Sequence, residues 1–308
     1  MNPPPFIVIL ATCGGQRLDR TLASLAKCQQ PKDFRGVLVI ENGTKSPHVK
    51  KLVLSYSQSL LATYQFVSDS NKSNALNTAL EGLSENHFVF FTDDDVLFET
   101  EVLLAYQKAR ERHTNNTVFG GRVVADPEIP IPIELVPFLP SSHSGYPGAN
   151  LKFDPKKHLF IGNNWATYSD DIKLLGGFNP LFGPGSPINS SGQESDMLMR
   201  MRDANYRFEF VSDAVVKHWV EKERLTRKFT ELRKFKVGIY SGVRHRLKFS
   251  KNRPTWKRVA MVLYHLFRTT GLLIPSCLSL RLRMNASFSR GFLAGCLKDI
   301  SEYQNQYS

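Results

Sequence analysis

His87-Phe88-Val89-Phe90-Phe91-Thr92-Asp93-Asp94-Asp95 is the stretch on which the reading of this chain turns. Its first six residues form a short run rich in aromatic and apolar side chains, of the kind that makes a buried strand. Three adjacent carboxylates follow at once. Like charges crowded at the end of a buried strand repel one another, and a hard divalent cation relieves that repulsion. Mg²⁺ typically takes one or two carboxylates and completes its shell with phosphate oxygens. The triplet also reads as a solvated acidic turn before the next helix, where Asp is favourable. Taken alone, it leaves both readings open.

Upstream of the triplet, strand-like and helix-like segments alternate. Phe6 to Ala11, Gly36 to Ile40 and Thr63 to Val67 read as strands. Between them lie a helical pattern with Leu18, Leu22 and Leu25 at i, i+4, i+7, then helices over His48 to Leu60 and Ser73 to Leu83. A further helix is expected over Glu99 to Arg112. Such alternation predicts a parallel sheet with helices on both faces. Ligands of open α/β sheets bind at the carboxyl ends of the strands. That rule brings Thr12 to Arg17, Glu41-Asn42-Gly43, Asp69 and the acidic triplet to one edge.

Downstream, a strand over Val118 to Ala125 is followed by residues 126–158, which hold seven of the 17 prolines. A structureless stretch of that length in a compact domain is usually functional, so it reads as an extended loop or lid. A strand over Leu159 to Tyr168, a short helix from Asp170 to Leu175 and a Gly-rich segment from Gly176 to Gly185 come next. A helix from Ser191 to Asn205 precedes two closing strands, Tyr206 to Val211 and Val215 to Trp219.

The 308 residues are 42% apolar and 22% charged, which suits a folded chain with one large domain and an appendage. The net charge of +12 is concentrated: Lys222 to Arg258 hold 14 Lys/Arg against Glu223 and Glu231. A domain boundary is therefore drawn at 220, with residues 221–308 as a basic, amphipathic helical region. Val259 to Phe267 and Leu272 to Leu280 are apolar, yet neither reaches the ~20 residues of a spanning helix. A helix in the membrane interface beside the basic run is expected, so that 222–280 meets an anionic membrane surface in preference to nucleic acid. Cys13, Cys28, Cys277 and Cys296 form no CxxC pair, and Phe6 to Ala11 is too short for a signal sequence. These features point to a cytoplasmic protein, peripheral on the inner membrane face.

Four short motifs in order resemble the inverting GT-A glycosyltransferases of family 2. They are Val8-Ile9-Leu10-Ala11-Thr12 with Arg17 and Leu18; Val39-Ile40-Glu41-Asn42-Gly43-Thr44; Asn71-Lys72-Ser73-Asn74-Ala75-Leu76-Asn77; and the strand with the acidic triplet at 88–95. With the helix start Gly192-Gln193-Glu194-Ser195-Asp196 and the strand Val216-Lys217-His218-Trp219, the likeness runs from about residue 6 to 220. It implies a GT-A Rossmann-like, mostly parallel sheet with flanking helices. Thr12, Arg17, Glu41, Asp69, Lys72, Asn77, Asp93 and Asp94 would then bind a nucleotide sugar. Asp95 and His218 would hold Mn²⁺ or Mg²⁺. Glu194 would be the catalytic base, with Asp196 second, and Asn163, Asn164 and Trp165 would line the acceptor. The chain departs from the family where Glu41 replaces the commoner Asp, and where Gln193 replaces the first member of an acidic pair.

Structural roles compete with several of these. Ser191-x-x-Glu194 is a capping box, and Asp196 and Arg200 are spaced as an ion pair. Residues i and i+2 of a helix point about 200° apart, so Glu194 and Asp196 cannot face one substrate atom. Trp165 and Tyr168 suit core packing as well as sugar stacking. The function expected is transfer from a UDP-sugar to a saccharide or lipid-linked hydroxyl. A sugar nucleotidyltransferase using Cys13-Gly14-Gly15-Gln16-Arg17, or a non-catalytic membrane-binding protein of the same fold, are the alternatives.

Overall fold

Seven consecutive buried residues form the first strand, β1 (Phe6–Thr12), and the chain then winds through α1 (Leu18–Leu25), whose Leu18, Leu22 and Leu25 are all buried. Next come β2 (Phe34–Asn42), α2 (Pro47–Ser55), α3 (Ser57–Leu60), β3 (Thr63–Val67), α4 (Lys72–Glu81) and β4 (Phe88–Thr92). After the acidic triplet follow β5 (Val96–Phe98), α5 (Val102–Arg112), β6 (Thr117–Pro127), α6 (Ser141–Ser144), β7 (Trp165–Tyr168), α7 (Ser169–Leu174), α8 (Gln193–Asp203) and β8 (Arg207–Val220). The helices α9 (Arg227–Asn252), α10 (Thr255–Thr270) and α11 (Leu280–Leu297) complete the chain. This computed structural model describes residues 3–113, 116–147, 153–154, 157–252, 255–270 and 279–300.

The strands form one sheet in the order β3-β2-β1-β4-β7-β6-β8-β5. β1, β2, β3 and β4 are mutually parallel, as the alternation predicts. The far half is mixed: β7 runs antiparallel to β4 and β6, β5 antiparallel to β8, and β6 parallel to β8. A parallel neighbour needs a crossover of a dozen or more residues. Only Asp93-Asp94-Asp95 separates β4 from β5, so the chain leaves β4 and pairs at the opposite edge.

That departure displaces the expected helix over Glu99 to Arg112, which starts at Val102 because β5 takes Val96 to Phe98. The helix expected over His48 to Leu60 is two pieces. The strand expected from Leu159 is confined to β7, and the two closing strands are one, β8, with a register shift where it pairs with Gly121 and Arg122. The core of this sheet is aromatic. Phe88 sits edge-on to Phe6, Phe119 and Tyr168 at 5.2–5.4 Å between centroids, the geometry that aromatic quadrupoles favour.

Two compact units make up the chain. Residues 1–130, 140–180 and 193–220 form the sheet unit; residues 131–139, 181–192 and 221–308 form the second. Two internal segments thus join the second unit, which a single boundary at 220 did not foresee. In that unit α9 and α11 run parallel in backbone contact. A Cβ on Gly238, Gly242, Gly291 or Gly295 would lie 2.0–2.3 Å from a carbonyl oxygen of the opposite helix. Small residues four apart permit this approach on both helices. Among the described residues no helix is long and apolar enough to cross a membrane. Most of the apolar stretch Leu272 to Leu280, with Cys277, lies outside the described residues.

Candidate active site

The parallel ladder brings three strand ends together. Thr12 stands opposite Glu41, and Leu10 opposite Thr92, so the acidic triplet emerges beside the turn after β1. The Thr12 hydroxyl accepts from the Gly14 amide and donates to Asp94 Oδ2 at 2.5 Å. Thr21 donates to the Asp94 and Val96 carbonyls, at 2.9 Å each, and fixes the triplet's backbone. A Cβ on Gly15 would lie 2.6 Å from Asp94 Oδ2, so the glycine makes room for this carboxylate. Burial raises the Asp94 pKa to about 6. The charges of Asp95 and Asp93 push the same way, and the Thr12 hydrogen bond opposes them.

Lys72 begins α4, which Asn71 caps by accepting from the Ser73 amide. Its Nζ donates to Asp93 Oδ1 at 2.6 Å and to Glu194 Oε1 at 3.1 Å. Burial works against the ammonium, but the two carboxylates outweigh it and hold its pKa above the usual lysine range. Glu194 also accepts from Gln193 Nε2 at 2.9 Å. Its carboxylate rests against Gly162, where a Cβ would lie 2.6 Å from Glu194 Cδ.

Asp95 and His218 meet through the antiparallel pairing of β5 with β8, which sets Val96 opposite His218. His218 Nε2 faces Asp95 Oδ1 at 3.4 Å. His218 Nδ1 lies 2.9 Å from the Ser142 carbonyl, which only accepts, so Nδ1 carries a proton. In the neutral ring Nε2 then presents its lone pair to a carboxylate oxygen. Protonated, the ring pairs with Asp95 directly; neutral, the two acceptors would suit a shared cation, with the backbone carbonyl fixing the tautomer from behind. Among the described residues no three His, Cys, Asp or Glu side chains converge as metal ligands. Two side chains fall short of a ligand set, so a cation held there would need its remaining ligands from water or phosphate.

Other predicted site residues are engaged within the protein itself. Glu41 is fully buried, accepting from Tyr64 at 2.5 Å and from the Ser46 amide at 2.9 Å, and braces the turn after β2. Asn77 clamps the backbone of Phe178 through both ends of its amide. Asn164 is wholly enclosed by Tyr106 and the Arg122 and Ala214 carbonyls. Trp165 stacks on Phe91 inside the core, and Tyr168 is buried with it. Glu41, Asn164 and Trp165 are thus fully buried, while Asn77 is half-buried with its amide spent on the Phe178 backbone. Asp196 is buried and paired with Arg200, whose other nitrogens reach the Leu175 and Gly177 carbonyls. Arg17 lies 3.7 Å over the Trp219 ring and 3.7 Å from Glu128. Asp69 accepts from the Asn71 amide and from Asn74. Asn163 is 1% exposed with neither side-chain amide atom hydrogen-bonded, and the buried Trp165 indole N–H is likewise unbonded, so both keep unused polar capacity.

Sequence reasoning missed Gly162, the Ser142 carbonyl and Cys13. The exposed Cys13 thiol lies 3.6 Å from Asn42 Oδ1, and burial, then the Asp94 charge, raises its pKa. Cys13 stands inside a quoted motif and could have been noticed. A carbonyl that orients a ring 76 residues away leaves no sequence signal.

No family model matches the chain, and no curated protein matches it. Solved structures do. The crystal structure of S. aureus TarS 1-349 is 16% identical over 76% of this chain and 65% of that one, with a TM-score of 0.52. TarS 1-349 in complex with UDP is also 16% identical, over 94% and 90%, at 0.52. GalNAc-T7 with UDP, GalNAc and Mn²⁺ is 11% identical over 79% and 51%, at 0.51. The chain thus spans about two thirds of the first of these and half of the last. At such identities the likeness is one of fold, and the fold is that of the GT-A glycosyltransferases.

Proposed function

We propose that this GT-A chain is a metal-dependent inverting glycosyltransferase that moves a sugar from a UDP-sugar to a saccharide or lipid-linked hydroxyl. The observation that carries the reading is Lys72. A single ammonium touches Asp93 of the acidic turn and Glu194 of α8, joining two motifs 101 residues apart into one charged site. The solved structures of similar fold contain UDP, UDP-GlcNAc or, in GalNAc-T7, UDP with Mn²⁺, which supports a nucleotide diphosphate and a divalent ion here.

Asp95 and His218 would hold the ion, which when bound neutralises charge on a diphosphate. Lys72 adds a second cation for the departing group. Glu194 takes the proton of the acceptor hydroxyl as the new bond forms at the anomeric carbon. The bond to the diphosphate breaks on the opposite face, and its electron pair leaves on the nucleoside diphosphate. Thr12, Asp93 and Asp94 form the wall against which the donor lies.

Calorimetric titration with UDP, GDP and dTDP, with and without Mn²⁺, tests this on the natural chain and on Asp95→Ala. Mn²⁺-dependent binding of UDP that is lost in the variant is expected. Absence of nucleotide binding under every condition overturns the proposal. Release of pyrophosphate in place of UDP during turnover would assign a nucleotidyltransferase instead.

A further inference from the structure

The transferase site leaves the charge of the second unit without a purpose. Residues 221–308 hold 19 Lys/Arg against five Asp/Glu, a net of +14, while residues 1–220 carry −2. Lys222, Arg227, Lys228, Arg281 and Arg290 are all exposed. The same unit also exposes apolar side chains along one helix. On α10, Val259, Met261, Leu263, Tyr264, Leu266 and Phe267 all face solvent, Phe267 at 74% exposure. His265 is the buried anchor of this stretch: it stacks on Phe292 of α11 at 3.9 Å and meets Ser289 Oγ at 3.1 Å. A contiguous apolar surface of this kind marks an interaction site on a folded protein.

Charge decides among occupants. A second copy of residues 221–308 would bring +14 against +14, and repulsion opposes that pairing. A nucleic acid would meet the cations but gain little from exposed Val, Leu and Met. An anionic bilayer satisfies both features at once, because its headgroups neutralise Lys and Arg while the acyl boundary buries apolar side chains. Among the described residues no helix is long and apolar enough to span, which favours α10 lying in the plane of the surface.

We infer that α10 docks this protein on an anionic membrane. Leu263, Leu266 and Phe267 enter the boundary between headgroups and acyl chains, and the exposed cations of the unit meet phosphate headgroups. The anchor is independent of nucleotide binding, since every residue it uses lies in the second unit.

The test is sedimentation of the full chain with phosphatidylglycerol–phosphatidylcholine vesicles and with phosphatidylcholine alone. The natural chain should pellet with the anionic vesicles, and weakly with neutral ones. The double variant Leu263→Ser/Phe267→Ser should lose about tenfold or more in partitioning, since both side chains are exposed apolar groups whose burial drives insertion. Its circular dichroism and UDP titration should match the natural chain, which separates this anchor from the transferase reading. A natural chain left in the supernatant of anionic vesicles, or a variant that pellets equally well, overturns the inference. Concentration-dependent dimers abolished by the variant would instead assign the face to a second copy. RNA binding as tight as vesicle binding, and untouched by the variant, would assign the cations to nucleic acid.

Discussion

Glu194 and Asp196 lie two residues apart in the first turn of α8, and each is paired with a cation, yet the two sides of the helix differ in what those pairs do. Asp196 is 3% exposed and meets Arg200 one turn along, and the guanidinium goes on to two backbone carbonyls after α7. That side is closed, with every partner part of the fold. Glu194 is 18% exposed and meets Lys72 on a separate element, beside the acidic turn. Here the cation is shared with Asp93, a second carboxylate of the acidic turn. An ion pair alone says little about function. What separates structure from chemistry is whether the partner is bound to backbone or to a second carboxylate at an open edge.

The largest effect should come from exchanging the two carboxylates for amides. Glu194→Gln removes the proton acceptor and should lower kcat about 10²–10⁴-fold while leaving the melting temperature close to natural. Asp196→Asn should do the reverse. It leaves Arg200 without its carboxylate and should cost about 2 kcal/mol of stability, less than a fully enclosed pair because the two carbonyl contacts remain. The folded fraction should keep near-natural kcat. Steady-state kinetics with thermal unfolding on both variants checks this. A stable, fully active Glu194→Gln would break the comparison.

A subtler change moves Glu194 without altering its chemistry. At Gly162 a Cβ would meet Glu194 Cδ at 2.6 Å, Cγ at 2.8 Å and Oε1 at 2.8 Å, all atoms of a movable side chain. Gly162→Ala should therefore fold normally and push the carboxylate aside. A displacement on the order of 1 Å can cost up to about 10²-fold in rate, so a fall of about ten- to a hundredfold in kcat is expected, with UDP affinity unchanged. Unaltered kcat would mean that the position of Glu194 is not critical, and would remove it as the base.

This contrast also marks how much could be read in advance. The parallel half of the sheet was legible because each strand there is a local apolar run followed by a local helical pattern. Leu18, Leu22 and Leu25, all buried, show that periodicity at work. The mixed half was not, because its order rests on pairing between distant segments: β5 has three residues and no periodicity, yet its register alone brings Asp95 to His218. Residue type and motif order singled out Lys72, Asp93, Asp95, Glu194 and His218, and the fold brings Lys72 to Asp93 and Glu194, and Asp95 to His218. They could not tell which polar side chains would be enclosed. Glu41 and Asn164 have site-like chemistry yet are fully buried, and Asn77 is spent on the Phe178 backbone. The glycines at 238, 242, 291 and 295 stood in plain view, but their meaning needs the pairing of α9 with α11.

The third carboxylate in this comparison, Asp94, is relieved in yet another way, and its effect should be the smallest. Its nearest hydrogen-bond donor is a hydroxyl, and burial raises its pKa to about 6 against about 3.9 in an unfolded chain. The folded state therefore binds more protons than the unfolded one between about pH 4 and pH 6. The contribution to stability is full below about pH 4 and is lost as pH rises through about 6. Asp94→Asn carries no such charge, so without metal or nucleotide it should gain on the natural chain by about 1 kcal/mol between pH 4 and pH 7. That is less than the full two-unit shift would give, because the side chain keeps some solvent contact. Thermal unfolding of both proteins across that range reads the difference directly. Parallel curves would mean that Asp94 ionises as easily in the fold as out of it, and that Thr12 alone suffices to hold its charge.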